Sequence, residues 1–254
     1  MKITLEMIEA KNPCEEGLAW FNKNYPGGEV GYQELLNAIA EDNERHYGTW
    51  LLDNIGPDMR AEIKLHSANI SGNLLIAGNL TCTDSLNVDG YLHVGGALNV
   101  AGSIHVKEGI DVKHQIFARD DIVGGRRITA EDIIAGGYIQ TWQELDTTAG
   151  SIQSGKSIIA NDIESCHNII ATDSISAACG IYAGGAIEAG KSITARMSIH
   201  AGGHIEAGDY INTSNDYNIF AGVHMPIKYR EIHGYIASKN KPRNIASGIW
   251  IEKK

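Results

Sequence analysis

The chain is predicted to be a three-sided parallel β-solenoid, all-β apart from a small helical domain at its N-terminal end. Three observations carry that prediction. An aliphatic residue recurs every six positions through the middle of the chain, and a second small or branched residue follows each one two positions later. The 254 residues include 29 Gly but only 5 Pro, and aromatics make up 7%. Glycine at corners and small aliphatics inside suit a narrow coil, whereas the core of a globular enzyme relies on aromatic rings.

Residues 1–58 read as a helical head. Positions 1–10 are amphipathic and acidic, unlike the basic leader that secretion uses, so export is not expected. Asn12-Pro13-Cys14-Glu15 reads as a helix start, with Asn12 as N-cap, Pro13 at the first helical position and Glu15 completing a capping box. Leu18, Phe21 and Tyr25 follow at helical spacing. A Pro26-Gly27-Gly28 turn leads to Tyr32, Leu35, Leu36 and Ile39, and a further segment has Tyr47, Trp50, Leu51 and Ile55 before a Gly56-Pro57 stop. Three or four short helices are too few to be stable alone. They are expected to pack on the first coil and cover its edge, whose unpaired N–H and C=O groups would otherwise invite polymerisation. Residues 59–73 form a transition.

The solenoid is assigned to residues 74–221. From Leu74 a Leu or Ile recurs every six residues to Ile128; five-residue steps to Ile133 and Ile163 and a seven-residue step to Ile152 interrupt a rhythm that runs to Ile211. Residues i and i+2 of a strand share a face, so each aliphatic and its follower point inward and the residue between them points out. A period of six excludes a helix, and strands this short fit no antiparallel sheet. Three hexads close one triangle, so the 24 hexads make about eight coils. Residues 222–254 leave the rhythm. Strand-like patterns at Tyr229–Ser238 and Ile245–Glu252, around a turn-rich Lys239–Arg243, suggest a hairpin or short sheet closing the last coil.

Charge is uneven. The net charge is −10, but residues 1–58 carry 4 basic and 11 acidic groups while residues 214–254 carry 7 basic and 3 acidic. An acidic head and a basic tail suit electrostatic attraction between ends at low salt. Cys82 takes an inward position of the repeat, and Cys166 and Cys179 fall at different corners, too far apart to bridge. The natural compartment is a reducing cytoplasm. No apolar run approaches the roughly 20 residues that span a bilayer, so no membrane association is expected.

The Ile-x-Ala/Val hexads with glycine corners, such as Ile181-Tyr182-Ala183-Gly184-Gly185 and Ile199-His200-Ala201-Gly202-Gly203, resemble those of bactofilins, the polymer-forming bacterial cytoskeletal β-helix proteins. The resemblance covers about residues 74–221 and implies a right-handed triangular solenoid that associates without enzymatic activity. The helical head and non-repetitive tail depart from that family. With the Ala-Gly hexads, they also make the overall layout resemble uncharacterised phage and prophage proteins. Hexapeptide acyltransferases are the competing family. Their small inward residue lies two before the aliphatic, whereas here it lies two after, and no residue-level match to their catalytic motifs is present.

Every third hexad should present its outward residue on the same side. Leu75, His93, Asp111, Thr129, Asp146, Glu164, Tyr182 and His200 share a first face; Thr81, Asn99, Phe117, Ile134, Gln153, Ile170, Glu188 and Glu206 a second; Asn87, His105, Val123, Gln140, Ile159, Ser176, Thr194 and Asn212 a third. Outward strand residues are polar unless something covers them. Phe117, Ile134 and Ile170, with Val123 and Ile159, are therefore the candidate interface of a lateral homodimer. His93 and Asp111 should be neighbours, but metal binding or general-base catalysis needs a third partner and a pocket, which a convex face does not offer. No catalytic, cofactor or metal residues are assigned, and the histidines are expected at the surface. Gly155-Lys156-Ser157 lies inside the repeat and opens no helix, so it is no phosphate loop. The basic tail, Lys239, Lys241, Arg243, Lys253 and Lys254, has one nearby aromatic, Trp250, and no nucleic-acid partner is expected. Taken together, the sequence points to a non-enzymatic scaffold. An acidic binding or inhibitory protein facing a basic or nucleic-acid-binding partner is the alternative.

Overall fold

The computed structural model describes residues 1–223 and 233–253. Three parallel sheets of nine, ten and eleven strands wind into a solenoid of about ten turns. Each strand pairs with the one three strands later, and the inward aliphatics stack in register. Ile104 sits between Leu86 and Ile122, and Ile163 between Leu145 and Ile181. The leading Leu and Ile side chains form one continuous buried column, with the Val and Ala followers beside them. Where the follower is Thr147 or Ser165, the inward hydroxyl finds a backbone acceptor. Both donate to the Gly150 carbonyl at 2.9 Å, so the buried polar atoms are satisfied. Cys82 is buried at its inward position, and the cysteines are all unpaired thiols.

The turn count corrects the expected eight coils, and both ends account for the difference. The segment 59–73 contains two solenoid strands, β3 (Glu62–Leu65) and β4 (Ala68–Ile70), paired in parallel with Asn79–Cys82 and Leu86–Val88. Ala68 occupies a leading position normally held by Leu or Ile, which hides the rhythm. At the other end the described strands form no hairpin. Tyr235–Ser238 pairs in parallel with both Ile205–Ala207 and Ile249–Glu252, and Ile245–Ser247 pairs in parallel with Ile219–Phe220. Ile236 is fully buried opposite Ile205, as a leading aliphatic should be. Tyr229, the start of one expected tail strand, lies outside the described residues.

The corners explain part of the glycine count. A Cβ on Gly155 would lie 2.0 Å from the Gly136 carbonyl oxygen one coil below, and a Cβ on Gly136 would lie 2.1 Å from that of Arg119. The coils stack too closely at this edge for a side chain there.

The head has four helices and a short antiparallel pair, β1 (Lys2–Thr4) with β2 (Glu29–Gly31). Helix α1 (Leu5–Glu9) is capped by the Thr4 hydroxyl. Helix α2 (Glu15–Asn24) begins two residues later than expected. Cys14 is the N-cap, its sulfur accepting from the Gly17 amide, while Asn12 takes a left-handed conformation at φ 52°. That bend at Asn12 is what separates α1 from α2. Helix α3 (Tyr32–Glu41) buries Tyr32, Leu35, Leu36 and Ile39 as their spacing predicts. Helix α4 (Arg45–Asn54) buries Gly48, Leu51 and Leu52.

The head covers the strand Leu74–Ile76, which ends the ten-stranded sheet, and also climbs that side of the solenoid. Leu75 and Ala77 belong to the head's own apolar core. The Gln33 side chain acts as a strand surrogate for Leu74–Ile76: its amide nitrogen donates to the Leu75 carbonyl at 2.7 Å, and its oxygen accepts from the Ala77 amide at 2.9 Å. Helix α4 then follows the first face upward. Gly48 meets Leu75, the Thr49 hydroxyl lies 3.4 Å from His93 Nδ1, and Asp53 pairs with Lys113 at 2.6 Å.

Candidate functional site

The strand register places the outward residues on the three expected faces. His93 pairs with Asp111, Phe117 with Asn99 and Ile134, and Ile159 with Gln140 and Ser176. Two regions stand out on this frame.

The first is the apolar edge between the second and third faces. Phe117 and Ile134 are consecutive rungs, with Phe117 44% exposed. Ile170 is separated from them by Gln153, and Val123 from Ile159 by Gln140, so both ladders are broken by one glutamine each. Ile159 is 44% exposed, and Trp142, 71% exposed at the corner after Ile139–Thr141, shares a shallow depression with it. Trp142 sits on a corner, outside the outward strand positions that counting identifies, and its one signal in the sequence is a tryptophan within the repeat.

The second region is a groove of about 420 Å³ where α4 leaves the first face. The expectation that this face is convex throughout is overturned there: the head supplies the missing wall. It also overturns the surface placement of His93, which is 4% exposed because α4 lies over it. Its Nε2 has no hydrogen-bond partner and faces the Asp111 carboxylate at 3.7 Å. Burial, opposed by Asp111, pushes the imidazole below its ordinary value, so it is neutral near pH 7. Arg45, Tyr91, Lys113, Arg126 and Arg127 complete the rim. The Arg45 guanidinium stacks 3.7 Å from the centroid of the Tyr91 ring.

Other sequence features resolve as structural. His200 stacks between Tyr182 and Phe220, at centroid distances of 5.0 and 4.3 Å. His204 lies 3.1 Å from Glu188 and stacks on Tyr235. Of the basic tail, Lys239 pairs with Asp209 at 2.9 Å and Lys253 with Glu206 at 2.6 Å, each on an earlier coil. Among the described residues, no three His, Cys, Asp or Glu side chains are grouped to hold a metal ion, and no helix is long and apolar enough to cross a membrane.

Compared with protein-family models, with curated proteins and with solved structures, the chain matches none.

Proposed function

We propose that the chain is a non-enzymatic scaffold whose solenoid pairs laterally with a second copy along the edge between its second and third faces. The observation that carries this reading is the pair of consecutive outward rungs Phe117 and Ile134 beside this edge, with Ile159 on the adjoining third face and Trp142 at that face's far corner. Most solvent-facing strand positions elsewhere on the solenoid hold polar residues, with Tyr182 and Phe220 on the first face stacked against His200. An exposed cluster of this kind marks an interaction surface. The glycine corners Gly136-Gly137 and Gly155 support it by keeping that edge low, so that a partner can approach the flanking side chains.

The resemblance of the hexads to those of bactofilins favours association without catalysis, and the layout shared with phage and prophage proteins brings no activity with it. The Gln33 cap argues for a closed pair over open-ended growth at that end of the solenoid. The four free thiols suit a reducing cytoplasm.

The test is solution mass by light scattering for the full chain and for Phe117→Asp combined with Ile170→Asp. A central contact typically contributes about 2 kcal/mol or more to an interface. Placing two carboxylates there should weaken pairing by at least about a hundredfold and give the monomer mass at micromolar concentration. Identical masses for the two proteins would end the proposal.

A further inference from the structure

The groove on the first face departs from the charge of the rest of the molecule. The chain carries a net charge of −10, yet the charged residues lining this groove are Arg45, Lys113, Arg126 and Arg127 against Asp111 alone. Each of these cations except Arg45 is paired with a carboxylate, Lys113 also with the groove's own Asp111 at 3.8 Å and Arg127 also with Glu144 at 3.7 Å. Arg126 pairs with Glu108 at 2.5 Å, Arg127 with Asp146 at 2.7 Å, and Lys113 with Asp53 at 2.6 Å. Arg45 forms no ion pair among the described residues and rests on the Tyr91 ring. Its donors therefore remain available.

His93 supplies the second, independent sign. The Thr49 hydroxyl lies 3.4 Å from Nδ1 and can serve it as donor, while the Asp111 carboxylate faces Nε2, an arrangement that favours the hydrogen of the neutral ring on Nε2. That buried Nε2–H has no acceptor within hydrogen-bond distance, the nearest being Asp111 at 3.7 Å. A buried donor without a partner is costly, and such groups are rare unless something else satisfies them. The floor is kept clear by Gly109, whose Cβ would fall 2.9 Å from the Tyr91 ring. Leu75, Leu92, Ile110 and Val112 lie behind this lining with their side chains in the two cores, and the Tyr91 ring is the apolar surface that the groove itself presents.

We propose that this groove binds a small organic phosphate of about mononucleotide size, with the anion held among Arg45, Lys113 and Arg126 and with His93 Nε2 as a further donor. Guanidinium forks match phosphate oxygens in pairs. The volume of about 420 Å³ lies within the range of small-molecule sites and exceeds what a bare phosphate fills. The Tyr91 ring gives the organic part its contact.

Calorimetric titration of the full chain with AMP at low salt tests this, with inorganic phosphate and adenosine as separate arms. AMP should bind, inorganic phosphate more weakly and adenosine not at all. Arg45→Ala, at an exposed position, should weaken AMP about tenfold or more, since a charge-assisted contact contributes about 1.5–3 kcal/mol, and Arg45→Lys should recover part of the loss. Lys191→Ala removes a cation paired with Asp173 elsewhere on the solenoid and should change nothing. Nitrogen-detected NMR should show the His93 imidazole titrating at higher pH with AMP bound, against a background set by Asp111, Lys113 and Asp53. Failure of AMP to bind at millimolar concentration, equal affinity in Arg45→Ala, or adenosine binding as tightly as AMP would each overturn the proposal. Inorganic phosphate matching AMP would overturn its organic part.

Discussion

Replacing Gln33 with leucine isolates the contribution of the head's grip on the solenoid. Gln33 sits on α3 and makes two hydrogen bonds to the backbone flanking Ile76, one to the Leu75 carbonyl and one from the Ala77 amide. Leucine has nearly the same volume but can make neither. Leu75 and Ala77 are both 1% exposed, so water cannot take over. Each abandoned backbone group costs about 1–3 kcal/mol. With part returned by leucine's own apolar contacts, the net loss should be about 2–4 kcal/mol. Glutamate at this position keeps the acceptor for Ala77 but sets a carboxylate against the Leu75 carbonyl, and it should destabilise as well. The assay is denaturant unfolding of the full chain, read with amide hydrogen exchange at Ala77. Exchange there should accelerate more than at Ala183, far along the solenoid. A loss below about 0.5 kcal/mol with unchanged exchange at Ala77 would refute the reasoning, because the two bonds would then be decorative.

Two further perturbations probe the solenoid and the buried histidine. Gly155→Ala forces a methyl group to within 2.0 Å of the Gly136 carbonyl oxygen, a backbone atom that cannot swing aside. The cost should be about 1–3 kcal/mol, and a midpoint in urea equal to that of the parent would dismiss the close-stacking account. His93 and His200 are both held below the ordinary histidine range, chiefly by burial. The unfolded chain therefore takes up protons as pH falls through about 6.5 while the folded chain does not. Stability should be full above that pH and decline as the medium is acidified toward the lower folded values. His93→Gln should flatten the decline between pH 7 and 5.5, whatever its effect on absolute stability, and an unchanged slope would show that His93 is not buried in its neutral form.

The solenoid was legible because its physics is local and repetitive. A leading aliphatic and its follower two residues on specify a strand, and the spacing of leading residues specifies the coil, so even the face of each outward side chain followed from counting. The ends were misread for the same reason. Ala68 fills a leading position with too little side chain to register as one, and Ile236 and Ile245 lead strands whose connections are not six residues long. The head's helices followed from Leu35, Leu36 and Ile39, but the start of α2 depended on a left-handed turn at Asn12 that favours asparagine without requiring a cap there. The apolar edge could be anticipated from Phe117 and Ile134, though not the corner residue Trp142. The groove could not be anticipated. It arises where Thr49 and Arg45 of the head meet His93 and Arg126 of the coils, and no periodicity within one segment encodes that meeting. His93 and Asp111 were correctly paired by register, but the burial that gives the pair its character comes from a helix more than forty residues away.

A prism has a property that a sphere lacks: its sides look in different directions. The groove opens on one side of this molecule, and the apolar edge joins the other two. Occupancy of either leaves the other unobstructed, and the stiff hydrogen-bonded shaft between them fixes their angle. Two copies joined along that edge would hold their grooves on outward-turned sides at a set distance, as two cups are held on a rigid yoke.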